Sequence, residues 1–279
     1  LVRYRDDIDP VVLLLLAAVS GGLYAFGMAC NDLADRDRDR LLHPERVIPS
    51  GRLSTRGACF AAAFAVTLSA GALVGLALRA PSGPGAIGIG RLLIWAIIVF
   101  LILLYDFVIK SAPVSGAGVM GLIRGCNFLL GLVYAPSTAV IREGMPLYAG
   151  FLVMYVFCLT MVSVLEDGPP RRGLFKVVAG GLWIAPVGVG VVGWLIFPTL
   201  QAPAVATLVV LLAWLGARIG AVLKEYSRAT MTRLVRDGIM AIILMDASIV
   251  FWSGRAWEGL VVASLLIPAH LFMVGFRRE

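Results

Sequence analysis

The chain has 279 residues, 60% of them hydrophobic, with a formal net charge of +7 and a mean hydropathy of +0.93. A soluble domain of this size is about half apolar, and the excess here falls in blocks of about 20 residues, the length that crosses the hydrocarbon core as a helix. This excludes a soluble α/β enzyme. It also removes nucleic acid as the reason for the charge, because the Lys and Arg residues sit mainly between apolar blocks, where they set topology and meet anionic lipid.

Taken in chain order, nine candidate spans cover about residues 11–30, 57–79, 91–110, 115–134, 146–166, 176–197, 202–222, 234–253 and 257–275. The linkers between them carry the breakers Pro44, Pro49, Pro81-Ser82-Gly83-Pro84-Gly85, Pro113, Pro136, Pro169-Pro170, Pro198 and Pro203. The blocks are too long and too evenly apolar for barrel strands, so the expected fold is an all-α polytopic membrane bundle forming one domain over residues 1–279. Alternate linkers differ in basic residues. One set holds Arg36, Arg38, Arg40, Arg46, Arg52, Arg56, Lys110, Arg171, Arg172, Lys176, Lys224, Arg228, Arg233, Arg236, Arg277 and Arg278, sixteen in all. The other holds six: Arg3, Arg5, Arg79, Arg91, Arg142 and Arg255. The richer set is expected to be cytoplasmic, in a prokaryotic cell membrane. Leu1 then lies outside, and the absence of an initial Met leads to the expectation of a fragment or processed form that one more helix preceded.

The four cysteines, Cys30, Cys59, Cys126 and Cys158, are isolated and read as small buried hydrophobes. With only His43 and His270 available, a His/Cys zinc site is not expected. Gly116, Gly118 and Gly121 spell GxGxxG inside an apolar block with no preceding strand, a pattern for close helix packing rather than dinucleotide binding.

The chemistry concentrates in Asn31-Asp32-Leu33-Ala34-Asp35-Arg36-Asp37-Arg38-Asp39, at the end of the first block. If the helix continues through it, Asp32, Asp35 and Asp39 share one face at i, i+3 and i+7, while Asp37 points elsewhere. Three carboxylates on one face repel, and a divalent cation relieves them; oxygen ligands together with a bound phosphate suit Mg²⁺. Downstream, Arg46 and Arg52 are placed to clamp diphosphate oxygens. A solvated charged loop is the plain alternative.

Asn31-Asp32-x-x-Asp35-x-x-x-Asp39 followed by Pro44-x-Arg46-x-x-Pro49-Ser50-Gly51 resembles the first signature of the UbiA superfamily of intramembrane prenyltransferases. The resemblance covers most of the chain from about residue 11. It implies a helical bundle with a central cavity, capped on the cytoplasmic side, that transfers an isoprenoid chain from a prenyl diphosphate to an acceptor, often aromatic. By the same resemblance Asp32, Asp35 and Asp39 bind Mg²⁺-diphosphate, Asn31 supports them and Arg46 contacts phosphate. The family's second acidic motif, DxxxD, falls on Ser163-Val164-Leu165-Glu166-Asp167. Asp167 fills the second acidic position, Ser163 stands where the first is expected, and Glu166 offers a neighbouring carboxylate. Tyr105-Asp106-x-x-x-Lys110 resembles the family's tyrosine-then-lysine element, with Lys110 toward phosphate, Tyr105 toward an allylic cation, and Asp106 in reach of Lys110. The degenerate second motif, Arg124-x-x-Asn127 and a further C-terminal block resemble the divergent EboC-type branch more than the quinone-pathway enzymes.

Inside the spans lie Arg124, Asn127, Arg218 and Asp246, which are costly toward lipid and are expected to face the protein interior. Arg124 and Asn127 share a face that reads either as an acceptor pocket or as a structural polar cluster. The leading expectation is a Mg²⁺-dependent prenyltransferase with a prenyl diphosphate donor and a small lipophilic or aromatic acceptor. The alternatives are an intramembrane terpene cyclase and a non-enzymatic prenyl-diphosphate or metabolite binding or transport component. The sequence leaves donor length, acceptor and oligomeric state open.

Overall fold

The computed structural model describes residues 9–79, 86–132, 139–166 and 168–275. Among these residues the chain is helical almost throughout and contains no strand. The helices are α1 (Pro10–Leu42), α2 (Thr55–Leu78), α3 (Ala86–Leu104), α4 (Pro113–Leu132), α5 (Ala139–Glu166), α6 (Arg172–Ile196), α7 (Ala202–Lys224), α8 (Arg228–Trp252), α9 (Ala256–Ser264) and α10 (Leu266–Gly275). A π-helical turn, Tyr105–Ile109, extends α3. All nine expected segments are helical, and seven of the described helices are long and apolar enough to span a bilayer. The chain is thus an integral membrane protein. The eighth helix, α8, carries Arg228, Arg233, Arg236, Asp237 and Asp246 and falls outside the seven. The ninth segment is broken at Leu265, and its apolar part, Ala256–Leu271, is short.

The helices group into two compact units, one holding α1 to α4 and the other α5 to α10. In the first unit α1 packs along α2, α3 packs on α4, and the π turn touches both α1 and α4. Val12, Val19, Leu23, Phe26 and Cys30 form the buried stripe of α1. The facing stripe of α2 is made of small residues, Ala58, Ala62, Ala65, Ser69 and Ala72, which let two backbones approach closely. The approach is tight at Gly22, where an added Cβ would lie 2.8 Å from both the Ala65 carbonyl oxygen and Ser69 Cβ. Ser69 Oγ donates to the Val19 carbonyl at 2.9 Å and accepts from Trp95 Nε1 at 2.9 Å, so this buried hydroxyl ties three helices. On α4, Gly116 faces the π turn with more room: a Cβ there would meet Tyr105 Cε2 and the Ile109 carbonyl oxygen at 3.5 Å, an ordinary contact. The GxGxxG stretch thus begins as a packing surface for the π turn.

In the second unit α8 is central, touching α5, α6, α7, α9 and α10. It is buried on nearly every side, from Met231 and Leu234 to Phe251 and Trp252. Tyr148, Leu152, Tyr155, Leu159 and Val162 of α5 form one buried stripe. Tyr155 Oη donates to the Gly238 carbonyl and Tyr148 Oη to Asp246, satisfying buried polar groups within the protein. Outward residues such as Leu14, Tyr24, Phe60, Phe64, Val177 and Leu271 are large, apolar and exposed, as lipid-facing positions require. Cys30 and Cys158 are buried as expected, whereas Cys59 is exposed on α2.

Placing a branched side chain at Gly22 tests the α1–α2 contact. Gly22→Val is expected to destabilise the protein by about 1–3 kcal/mol through overpacking, read as a lowered Tm in detergent. An unchanged transition would mean that α1 and α2 do not approach as described.

Candidate functional site

The helix condition on the acidic motif is met, because α1 continues unbroken to Leu42. Its 33 residues span about 50 Å, some 20 Å more than the hydrocarbon core needs. The excess carries Asn31 to Asp39 out of the apolar layer. At its end His43 N–H closes on the Asp39 carbonyl at 2.8 Å, and Pro44 stops the helix. The loop then folds back. Ser50 N–H donates to the Arg46 carbonyl, Leu53 N–H to the Val47 carbonyl, and Ile48 is buried beneath. Gly51 takes φ +78°, a left-handed conformation that favours glycine, and Ser54 caps α2 by accepting from Gly57 N–H at 3.0 Å.

This foldback sets Arg46 against the acidic face. Arg46 Nη1 donates to Asp39 Oδ2 at 2.8 Å, and Asp39 is only 4% exposed. The hydrogen bond to Asp39 holds the guanidinium above its ordinary pKa, and the charges of Asp39, Asp35 and Asp32 add to it against the opposing effect of burial. Arg46 therefore sits in the field of all three motif carboxylates. Arg52 takes another part: it donates to the Glu45 carbonyl at 2.6 Å and to Ser50 Oγ at 3.1 Å, bracing the loop.

Lys110 comes to the same helix from the end of the π turn. Its Nζ donates to Asn31 Oδ1 at 2.6 Å and to Asp35 Oδ2 at 2.5 Å. Asn31 and Asp35 stand one turn apart, so a single ammonium bridges both. An ammonium has three N–H donors, which leaves one for a ligand. Tyr105 is half-buried at the start of the turn. Asp106 does not pair with Lys110; it is 7% exposed and makes no hydrogen bond with the described residues. A π turn advances the chain by one extra residue, and here it precedes the lysine that reaches α1.

Asp32 makes no ion pair or hydrogen bond with the described residues. Nor do those residues gather three acidic, Cys or His groups into a metal-binding cluster. An all-protein metal cage is therefore not what the described residues offer. Carboxylates at i and i+3 with cationic groups beside them do suit a hard cation bound jointly with phosphate, since Mg²⁺ is usually held by one or two carboxylates and the substrate's own oxygens.

The remaining expected residues have other surroundings. Asn127 Oδ1 accepts from Ser20 Oγ at 3.0 Å, joining α4 to α1 as a polar cluster does. Arg124 is half-buried one turn before it on α4. In the second unit Ser163 is exposed, whereas Glu166 Oε1 accepts from Thr232 Oγ1 at 2.6 Å and from Arg228 Nε at 3.4 Å. Glu166 thus fastens the end of α5 to the start of α8. Asp167 lies outside the described residues. Beside it, Arg171 N–H donates to Tyr226 Oη at 3.3 Å, and the Arg172 guanidinium lies 5.8 Å from the Tyr226 ring centroid. Sequence reasoning missed Asp237, which is 2% exposed and bonded by both Arg218 and Arg236. The signal was present: an Arg-Asp pair inside an apolar block, with a lone Arg inside the block before it.

The UbiA prenyltransferase family matches residues 1–237. Digeranylgeranylglyceryl phosphate synthase of Halobacterium salinarum is 32% identical over 170 residues, which is 60% of this chain and 52% of that protein. The chain thus spans about half the length of the curated relatives it matches. A shorter stretch of 71 residues, 25% of the chain, is 37% identical to 52% of a fluoride-specific ion channel, FluC 3 of Brucella suis. A solved structure reported for digeranylgeranylglyceryl phosphate synthase in membranes superposes with a TM-score of 0.57 at 20% identity, covering 90% of this chain and 88% of that one. The acidic α1 face with its Arg46 foldback lies inside a match that runs from residue 1 to residue 237, far beyond the 71-residue stretch, and the chain belongs to the UbiA prenyltransferase family.

Proposed function

We propose that the protein is a Mg²⁺-dependent intramembrane prenyltransferase, with its acidic loops on the cytoplasmic side of a prokaryotic cell membrane. The observation that carries this is the Lys110 bridge, in which one ammonium from the π turn is held by Asn31 and Asp35 beside the unpartnered Asp32. A diphosphate seat needs cations next to the carboxylates that share its metal, and Lys110 and Arg46 supply them. When bound with diphosphate at Asp32 and Asp35, the divalent cation would offset the negative charge of the leaving group. The allylic C–O bond breaks and diphosphate departs with the bonding pair. Lys110 and Arg46 donate to its oxygens as charge builds there. The Tyr105 ring faces the allylic cation. The acceptor forms the new bond to that carbon and gives up its proton to the departing diphosphate or to water.

Small aromatic or lipophilic acceptors fit this scheme. The relatives named digeranylgeranylglyceryl phosphate synthase add a glyceryl phosphate lipid to the acceptors to test. A second reading, binding without turnover, draws support from the second acidic motif. There Ser163 offers no carboxylate, and Glu166 is held by Thr232 and Arg228.

Incubating the purified protein with Mg²⁺, a panel of prenyl diphosphates and these acceptors is expected to release pyrophosphate and yield a prenylated product. Tight binding with no release at any chain length would favour the second reading. Asp35→Ala is expected to abolish Mg²⁺-dependent diphosphate binding, and retention of wild-type binding would move the site elsewhere. Lys110→Met removes a donor to the leaving group and should lower kcat by about 10²-fold, with a smaller effect on donor binding. A loss confined to KM would make Lys110 a binding residue only.

A further inference from the structure

A second charged cluster lies wholly within the α5–α10 unit. Asp237 of α8 accepts from Arg218 Nε of α7 at 2.5 Å through Oδ2 and from Arg236 Nε at 2.7 Å through Oδ1. Its side chain is 2% exposed, while those of Arg218 and Arg236 are 36% and 27% exposed. A buried carboxylate is thus roofed by two accessible guanidiniums. Among the described residues two cations face one anion, leaving one positive charge in excess. Glu166 does not offset it, being held by Thr232 and Arg228, and Asp246 accepts from Tyr148 farther along α8.

The depth makes that excess informative. Arg218 stands six residues before the end of α7 at Lys224, and Asp237 nine residues into α8. At 1.5 Å per residue the cluster lies about 9–14 Å inside the charged ends of these helices. An arginine placed there only to keep its charge wet would extend toward water. Instead both are pinned to Asp237 through Nε. Each guanidinium has five N–H donors, and neither makes another hydrogen bond with the described residues. Four N–H groups on each guanidinium therefore remain for an anion, and a guanidinium's planar fork is the group that grips phosphate bidentately.

We infer that Arg218 and Arg236, set by Asp237, form a seat for a single phosphate group at the membrane boundary, carried by a lipid headgroup or by free phosphate. It uses none of the α1 residues and does not depend on the prenyl-transfer reading. The buried carboxylate fixes where the two guanidiniums point, and the phosphate would neutralise the charge left over.

Titration of the full-length protein in a neutral detergent with dioctanoyl phosphatidate, with dioctanoyl phosphatidylcholine and with inorganic phosphate tests the seat. Wild type is expected to bind phosphatidate at least 10-fold more tightly than phosphatidylcholine. Arg218→Gln with Arg236→Gln should remove that preference. Inorganic phosphate that fails to displace phosphatidate identifies a bilayer source, and effective displacement identifies a soluble one; either supports the seat. No preference in wild type would overturn the inference without recourse to any variant. So would a folded double-Gln variant that binds phosphatidate as wild type does.

Discussion

The contact on which the acidic face depends is the ammonium of Lys110, shared between Asn31 and Asp35. It joins the π turn after α3 to a turn of α1 that has passed beyond the apolar layer. Without a cation there, carboxylates at 32, 35 and 39 would stand on one side of a single helix with nothing but water to hold them apart. Arg46 performs the matching task one turn on, reaching in from the surface to pair with the buried Asp39. Two cations from different loops thus divide one acidic face. Asp32 is left open, and it is the carboxylate best placed for an incoming hard cation.

That division accounts for the local backbone. Lys110 reaches α1 from the end of the π turn that follows α3, and that turn packs on α4 with Tyr105 against Gly116. Arg46 reaches Asp39 because Pro44 stops α1 and Gly51 turns the loop back through a positive φ. Beneath both lies the α1–α2 seam of small residues, which packs the apolar part of α1 closely against α2. Helix packing in lipid gains little from hydrophobicity and depends on close fit and satisfied polar groups, which is what Gly22, Ser69 and Trp95 provide.

How much of this was legible in the sequence follows from the range of each interaction. The acidic face was legible because i, i+3 and i+7 spacing is a local property of a helix, and α1 does run through it. Lys110 was legible as a phosphate-side cation, but its bond to Asn31 crosses 79 residues and no spacing announces it. Asp106, one turn from Lys110, was the nearer partner on paper, yet the π turn sends the lysine to α1 instead. The same limit hid the hold of Thr232 and Arg228 on Glu166, 66 and 62 residues away. Span counting was reliable where the blocks were uniformly apolar. It strained at α8, a helix buried on nearly every side by protein, whose carboxylates Asp237 and Asp246 are held by neighbouring side chains.

The charges of α8 and those of α1 answer opposite problems with one physical rule. On α1 there are more carboxylates than cations, and the surplus negative charge calls for a positive partner. Around Asp237 there are two guanidiniums for one carboxylate, and the surplus is positive. A charge near the apolar layer is retained only where something offsets its desolvation. A protein-only arrangement would reach that end most simply with equal numbers, as in the Asp39–Arg46 pair. Neither site does so. Asp237 holds each of its two arginines through Nε, which leaves four N–H groups on each guanidinium for an anion. The imbalance is therefore built into the geometry, and it is the feature that separates a seat for an anion from an ion pair that merely staples α7 to α8.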